Sequence, residues 1–481
     1  MRSIFFKFLL GPSRFHWLGC CSLFLIGCAT EPATLFEHAI VNGKVIDLET
    51  GELLDKDVFI SDGRIKVLAD RGLPADFKAR DTIDAEGKFI LPGFWDNHVH
   101  FRGGDSLVDA NANFLKLFIA NGITTVRDAG GDLTPSVMTW KDQIENGERV
   151  GPTIFTSGPK IDGPDATWAG SLEVSSDAEV IAALDSLERI SVDFVKLYDS
   201  RISGEHYLNT IRKAEKRNLI TSGHMPFTVT LEETVDAGID AIEHLYYVMK
   251  GCSSKEDEIT QSLQKGEIGF WEAMPALQRT YTDSVAQKTF DLLKENNVYV
   301  VPTLHIGKIL SYLDEIDHSG DPYLRYMGDG IIATYQGRIQ SAMNASEDAR
   351  ENRKALDRFF GTLARSLNEA GVPLLAGSDS GAFNSYTYPG TSLHGELQEM
   401  VANGVSPLDA LRSSTPNGVK FLKKDADYGS ISVGKVSDLV ILEDNPLKNI
   451  QNTQKIHAVI KGDSIFDKPA LQRLLKNAMM H

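Results

Sequence analysis

The chain has 481 residues, of which 42% are hydrophobic and 24% charged, a composition ordinary for a soluble enzyme with one large and one small domain. The formal net charge of −17 at neutral pH gives a surface that repels phosphate backbones and anionic lipid head groups. We therefore expect no nucleic-acid partner, whereas a small-molecule substrate of either charge stays open because bound divalent cations reverse the field locally.

The first 27 residues have the composition of a targeting segment. They carry three cations and no acid, and an apolar stretch at 17–26 is too short to span a bilayer as a helix. This stretch ends in LIGC, which resembles the lipobox of bacterial lipoproteins and implies that Cys28 carries the lipid. Ala29 favours the outer membrane of a Gram-negative cell, so we expect a periplasm-facing protein attached to the membrane by its lipid anchor only. An ordinary signal peptide or an uncleaved anchor is the alternative.

Both ends of the mature chain alternate apolar and polar residues between turn signals. The N-terminal part contains HAIVNGKVID, DVFISDGRIKVLA and GKFILPG, and the C-terminal part contains GSISVGKVSDLVILEDNPL and IHAVIKGD. Such patterns predict short antiparallel strands. Since two β-rich ends flank one long domain, we expect residues 28–90 and 426–481 to form a single small β-sandwich, with the domain at 91–425 inserted between them.

Apolar runs alternate with helical segments through the middle of the chain. There are eight such runs: FWDNHVH, ITTVRD, PTIFTSG, VDFVKLY, LITSGH, IDAIEH, VYVVPTL and VPLLAGSD. Strands that alternate with helices pair in parallel, so the pattern predicts an α/β fold with a (β/α)8 TIM-like barrel. A long charged segment at about 306–352 is surplus to this pattern. It is either a lid above the active face or a helical pair packed on the side of the barrel.

Metal-capable side chains stand at the C-terminal ends of these runs. His98 and His100 are two residues apart on an extended segment, so both imidazoles point the same way and can reach one ion. Neutral imidazole is the commonest zinc ligand. Later runs end in further candidates, which converge only if the strands close into a barrel: Lys196, His224, His244 and Asp379.

These motifs, with GITTVRDAG, PGTSLHGEL, NPLKNI and the tail SVGKVSDLVIL, resemble the amidohydrolase superfamily over essentially all of the chain after the signal. Within it the chain is most similar to the dipeptidase branch related to imidazolonepropionase and prolidase. The resemblance implies a distorted (β/α)8 barrel, a β-sandwich, and a centre of two divalent ions, expected to be Zn²⁺, bridged by a carboxylated lysine.

The resemblance also implies a role for each candidate ligand. His98 and His100 hold the first metal, and His224 with His244 completes the second. Lys196 bridges the metals as a carbamate formed with CO2, because an unmodified ammonium would repel a cation. Asp379 contacts the first metal and accepts a proton from the bridging water, which makes it the catalytic residue. An unmodified Lys196 whose ammonium reaches towards solvent is the alternative.

Four further residues are candidate substrate contacts. Tyr246 or Tyr247, directly after His244, is placed to polarise the scissile carbonyl. His305 follows the seventh strand and either contacts substrate or has a structural role. Arg127 is either a carboxylate clamp or the partner of an acid inside the barrel, such as Asp128.

We therefore expect hydrolysis of amide bonds in dipeptides, N-acyl amino acids or similar small substrates, by a hydroxide activated between two metal ions. One alternative is a mononuclear cyclic amidohydrolase or deaminase, which the metal count distinguishes. A second is a surface lipoprotein that binds a partner without catalysis, and the complete ligand set speaks against it. The native metal, the substrate side chains and the oligomeric state, including a homo-oligomer, stay open.

Overall fold

The computed structural model describes residues 34–71 and 77–480. The predicted signal peptide, its cleavage site and Cys28 lie outside the described residues. Across the two described ranges, no helix combines the length and the apolar character that crossing a bilayer requires.

The N-terminal part of the described chain consists of strands. Their order is β1 (Thr34–Val41), β2 (Lys44–Ile46), β3 (Leu53–Leu54), β4 (Lys56–Ser61), β5 (Arg64–Asp70), β6 (Phe77–Asp84) and β7 (Phe89–Pro92). Turns with glycine or aspartate at positive φ separate several of them, as the sequence pattern indicates.

Strands and helices then alternate. The order is β8 (Phe94–Val99), α1 (Val108–Ala120), β9 (Ile123–Asp128), α2 (Thr134–Glu145), β10 (Thr153–Thr156), β11 (Ile161–Asp162), β12 (Leu172–Glu173), α3 (Asp177–Arg189), β13 (Val195–Leu197), α4 (Gly204–Glu215), β14 (Thr221–Gly223), α5 (Leu231–Asp236), β15 (Ala241–Glu243), α6 (Leu245–Gly251), α7 (Glu256–Gln264), α8 (Phe270–Thr280), α9 (Asp283–Glu295) and β16 (Tyr299–Val301). Seven of the eight predicted runs form strands, whereas the short β11 and β12 were not predicted.

Helices dominate the remainder. They are α10 (Leu304–Ser311), α11 (Gly328–Met343), α12 (Glu347–Ala370), α13 (Thr391–Ala402), α14 (Pro407–Ser414) and α15 (Pro416–Phe421), and the chain ends with β17 (Leu439–Leu442), β18 (Ile456–Lys461), β19 (Ser464–Asp467) and α16 (Lys468–Ala478). Helix α16, which follows the last predicted strand pattern, was not predicted. Its apolar residues recur at helical spacing, and the helix packs on α1.

The strands of the inserted region pair in parallel in two sheets, ordered β10-β9-β8 and β12-β11-β13-β14-β15-β16. The mixed α/β class is confirmed. The predicted eighth strand at 372–379 is not a regular strand, and only isolated bridges join Leu374 to Val300 and Ser380 to Val99. Asp379 has φ +53°, which interrupts an extended ladder. The pairing therefore does not by itself establish a closed barrel.

Two further sheets, β5-β4-β1-β6 and β19-β18-β17-β7-β2-β3, form the small β part. The second sheet joins strands from both chain ends. The expectation of purely antiparallel pairing was wrong, because β1 with β6 and β2 with β7 pair in parallel. Side chains of both sheets share one buried apolar cluster, which includes Ile40, Ile60, Ile90 and Ile441. The two sheets therefore pack face to face across a common core.

Candidate metal centre

The end of β8 and the segment that follows residue 372 bring three ligand groups together. His98 and His100 are buried, and their Nε2 atoms lie 3.2 Å apart. Asp379 Oδ1 lies 3.2 Å from Nε2 of His100 and 3.6 Å from Nε2 of His98. One ligand atom from each of the three residues falls within 4.8 Å of the others, so together they could hold a metal ion.

Two more predicted imidazoles border this group. His244 follows β15, and its Nε2 lies 3.9 Å from Oδ2 of Asp379. Its ring centre is 5.2 Å from that of His98 and 4.8 Å from that of His224, which follows β14. The structure thus places three histidines around the Asp379 carboxylate, and His224 adjoins this group through His244.

Asp379 is ionised in this setting. Burial by itself favours the neutral acid, but the neighbouring imidazoles of His98, His100 and His244 outweigh it and hold the pKa of Asp379 well below its usual range. The side-chain amide of Asn384 donates to Asp379 Oδ1 at 2.8 Å. A carboxylate that is anionic at neutral pH can both bind a cation and accept a proton.

Backbone strain accumulates at the same place. His244, Thr303 and Asp379 all have positive φ, at 69°, 51° and 53°. Such conformations cost about 1–3 kcal/mol for residues other than glycine, and they persist where the surrounding structure holds them. Two of these residues, His244 and Asp379, belong to the centre, and the third, Thr303, contacts His244 through Oγ1.

Each histidine has an oxygen partner on the ring nitrogen that faces away from the centre. The partners of Nδ1 are Glu243 Oε2 for His98 (2.6 Å), Gly130 O for His100 (2.9 Å), Asp199 Oδ1 for His224 (3.0 Å) and Thr303 Oγ1 for His244 (2.7 Å). When Nδ1 carries the proton, Nε2 presents its lone pair to a metal. This arrangement is typical of imidazoles that ligate metals.

Glu243 was not predicted, yet it connects several of these groups. It is fully buried at the end of β15, and its carboxylate contacts His98, Arg127 and Ser222. Although burial opposes ionisation, Arg127 and Lys196 hold the pKa of Glu243 well below its usual range. An acid inside the apolar run IDAIEH is the sequence signal that could have identified it.

Lys196 lies beneath the imidazoles on β13. It is completely buried, and among the described residues its Nζ has no hydrogen-bond partner, the Oε1 atom of Glu243 lying 3.5 Å away. Burial lowers the pKa of Lys196 to about 8, so a substantial fraction is the neutral amine that reacts with CO2. An orphaned buried amine beside four imidazoles and a carboxylate fits a pair of metal ions bridged by a lysine carbamate.

Arg127 has a different place from the one predicted for a substrate contact. Its guanidinium donates to Asn97 O (2.5 Å), Ser222 Oγ (3.0 Å) and Glu243 Oε1 (2.9 Å), all in the interior. The alternative of an acid partner inside the fold is therefore correct, although the acid is Glu243 and not Asp128. Arg127 thus contacts Glu243 in the interior, and it is not among the residues that line the cavity.

His305 is likewise absent from the cavity lining. Its ring packs against α13, where a Cβ atom added to Gly395 would lie 2.5 Å from His305 Cε1. Burial lowers the pKa of His305 to about 4. This packing agrees with the structural alternative, and the substrate contact stays a prediction.

Tyr246 and Tyr247 both line a cavity of about 580 Å³ that opens over the histidines. The hydroxyl of Tyr247 donates to Asp199 Oδ2 at 2.8 Å, so it is already engaged. The ring of Tyr246 packs against Phe360 and Phe270, with ring centres 4.9 and 5.5 Å apart. The hydroxyl of Tyr246 is therefore freer than that of Tyr247 to contact a substrate.

Helices outside the regular strand–helix alternation build part of the cavity wall. The predicted insertion at about 306–352 contributes α11 with Arg338, and α12, which begins in that segment, adds Arg353 just beyond it. The unpredicted helix α8, between β15 and β16, adds Phe270 and Trp271. The insertion at about 306–352 could be predicted because the segment is too long for the strand–helix alternation. Helix α8 could not be distinguished in the sequence from the other helices between the strands.

The model of the amidohydrolase family matches residues 89–465. Ochratoxinase of Aspergillus niger is 22% identical over 495 aligned positions, which cover 90% of this chain and 87% of that protein. The structure of a bottromycin amidohydrolase aligns with a TM-score of 0.73 and 20% identity, over 92% of this chain and 89% of the other. A Xaa-Pro dipeptidase with bound methionine aligns with a TM-score of 0.67 and 21% identity, over 89% and 99%. At these identities the solved structures demonstrate a shared fold.

Proposed function

Because this chain belongs to the amidohydrolase family and is thus a hydrolase of carbon–nitrogen bonds, we propose that it cleaves amides of small substrates such as dipeptides and N-acyl amino acids. The observation that carries the proposal is the approach of His98, His100 and His244 to Asp379, with His224 beside His244, under a cavity that His100, His224, His244 and Asp379 line. The residues that hold metal in this proposal are His98, His100, Lys196 as a carbamate, His224, His244 and Asp379.

The proposed fold is a (β/α)8 barrel whose two parallel sheets are halves of one cylinder. On one side, the segment 372–380 bridges β16 and β8. On the other, the backbone N–H of Asp193, just before β13, donates to Thr156 O at the end of β10 at 2.9 Å. Contacts at both seams support closure, and a barrel gathers its functional groups at one rim.

Two divalent ions bound here, proposed to be Zn²⁺, would supply a water of lowered pKa and polarise the scissile carbonyl. The chain's own contribution is the control of protons and orientation. Asp379, anionic at neutral pH, takes the proton of the attacking water on its carboxylate and returns it to the leaving nitrogen. Asn384 holds that carboxylate through Oδ1. We propose the Tyr246 hydroxyl as the donor to the substrate carbonyl, because Tyr246 lines the cavity.

A second candidate, a mononuclear cyclic amidohydrolase or deaminase, has one specific observation in its favour. Among the histidine, cysteine, aspartate and glutamate side chains of the described residues, only His98, His100 and Asp379 form a compact metal-capable group, and His224 and His244 fall outside it. In that case Lys196 stays an unmodified amine and the site holds one ion.

Metal content distinguishes the two. We expect soluble protein that starts after Cys28, purified with zinc and bicarbonate, to hold about two metals per chain by elemental mass spectrometry, and Lys196→Ala to hold about one or fewer. The wild type should release amines from a panel of dipeptides and N-acyl amino acids. One metal in both proteins, with turnover of cyclic amides or aminopurines only, would establish the second candidate instead.

We also propose that the protein is a periplasm-facing lipoprotein of the outer membrane, anchored through Cys28. The support is the segment LIGC after a basic and apolar stretch. Mass spectrometry of the membrane fraction should detect an acylated N-terminal cysteine. Cys28→Ser should leave an uncleaved, unlipidated precursor, and a processed soluble form of the wild type would contradict the proposal.

A further inference from the structure

The cavity above the histidines contains a buried cation without a counter-ion. Arg102 comes two residues after His100, and only 4% of its surface is exposed. Its Nε donates to Ala382 O at 2.9 Å, and its guanidinium carbon lies 4.1 Å from the centre of the Trp168 ring. No carboxylate of the described residues lies within ion-pair distance of Arg102, and its two terminal nitrogens, which have no acceptor in that part of the chain, face the cavity.

Charged groups of both signs surround Arg102. Asp379 and Asp132 favour its charged form from beyond ion-pair distance, whereas Arg338, which lines the same cavity, opposes it. Lys160 is buried with no hydrogen-bond partner among the described residues, and its Nζ lies 5.0 Å from the centre of the Trp168 ring. The Arg102 guanidinium is charged at neutral pH, as arginine is throughout proteins. A fully buried arginine is normally paired, because an unpaired buried charge is costly.

We propose that Arg102 binds a carboxylate of the substrate, and that the enzyme therefore selects amides whose amine half is an amino acid with a free carboxylate. The planar guanidinium is held by Ala382 and Trp168 on its other sides, which leaves a preorganised fork for a bidentate pair. Because Arg102 follows directly on the strand end that carries His98 and His100, the bound carboxylate lies close to the reacting centre. The inference rests on the proposed function for the identity of the site.

A pair of non-hydrolysable probes tests it without turnover. The first probe is 2-benzyl-4-oxo-4-phenylbutanoic acid, in which a methylene group replaces the scissile nitrogen of N-benzoylphenylalanine. The second probe is the primary amide of that acid, which has the same shape but no carboxylate charge. By calorimetry on the zinc-loaded protein, the acid should bind at least about tenfold more tightly than the amide. Arg102→Gln should remove that preference and leave the affinity for the amide within about twofold, which also shows that the variant is folded.

Two further variants distinguish a specific contact of Arg102 with the carboxylate from a general electrostatic attraction by the cations of the cavity. Arg338→Gln removes a cation from the same cavity, but Nε and Nη2 of Arg338 are occupied by Phe383 O and Asn384 Oδ1. We expect it to weaken acid binding by less than about threefold. Should Arg102→Gln fail to fold, Arg102→Lys keeps the charge without the fork and should still lose most of the preference.

Several outcomes would overturn the inference. They are equal binding of acid and amide to the wild type, no binding of either at millimolar concentration, or the same loss in Arg338→Gln as in Arg102→Gln. Failure of the proposed function has a different signature, because the acid preference and its dependence on Arg102 would persist while no amide in the substrate panel is cleaved.

Discussion

The carboxylate of Glu243 lies 2.6 Å from Nδ1 of His98, on the side of the imidazole that faces away from Asp379. The contact settles which nitrogen of His98 carries the proton, since an ionised carboxylate can only accept. Nε2 is then free to bind a metal. Glu243 also forms a buried ion pair with Arg127. It therefore connects the predicted metal ligand His98 to Arg127 in the interior.

Glu243→Gln should lower zinc affinity by about 10–100-fold, because an amide orients the imidazole of His98 less strongly and can present the wrong group to it. Competition with a chromophoric chelator measures the affinity. Glu396→Gln is the matched control, since Glu396 is also a fully buried acid but contacts His305 and not His98. Equal affinities in all three proteins would show that Glu243 serves the core alone.

Asp379→Asn should lower kcat by about 10²–10⁴-fold, the range for loss of a general base, because the amide cannot take a proton from water. Metal per chain has to be measured in the same samples, since Asp379 also borders the metal-capable group. Asn384→Ala, which keeps the Asp379 carboxylate but removes its hydrogen bonds from the Asn384 amide together with the contact of Asn384 to Arg338, should cause a smaller loss. Full activity in Asp379→Asn at unchanged metal content would exclude the proton-transfer role.

Glu396 predicts a pH-dependent stability. Its carboxyl accepts the backbone N–H of His305 at 2.7 Å, and burial raises its pKa to about 8. Between the unfolded pKa of about 4.3 and about pH 8, the folded chain keeps a proton that the unfolded chain has lost. The stabilisation is complete below about pH 4 and is lost as pH rises through about 8.

Glu396→Gln mimics the neutral acid at every pH. At pH 8 it should be more stable than the wild type by up to roughly 5 kcal/mol, since each unit of the pKa shift from about 4.3 to about 8 corresponds to about 1.4 kcal/mol. At pH 5 the two proteins should differ little. Denaturant unfolding at both values, at the same zinc concentration, measures this, and equal stability at pH 8 would show that the carboxyl is ionised in the folded state.

Trp271 on α8 is 59% exposed and contacts Tyr246 edge to face, with ring centres 5.9 Å apart. Because it lines the cavity mouth, Trp271→Ala should raise KM about two- to tenfold for N-benzoyl amino acids, through the loss of one aromatic contact. KM for the N-acetyl analogues, whose acyl group is too small to reach it, serves as the internal control. An equal rise for both series would indicate a general collapse of the wall.

Sequence periodicity was sufficient for much of the fold. Two-residue alternation marked the strands at both chain ends, and apolar runs between amphipathic helices marked seven parallel strands. The same patterns failed where local geometry departs from a regular element, as at 372–379, where the positive φ of Asp379 interrupts the ladder. The sequence pattern also could not predict whether strands of the small sheets pair in parallel or antiparallel. Apolar and polar residues alternate in the same way in both kinds of strand.

For the site, the sequence by itself determined which strand ends carry imidazole, amine and carboxylate, because side-chain direction on a strand follows from residue spacing. Only the tertiary structure decided which groups meet. It joined Glu243 to His98 and Arg127, moved Arg127 and His305 out of the cavity, and left Arg102 facing it. The reason is physical: contacts between residues far apart in the chain depend on how separate elements pack, and no local periodicity encodes that packing.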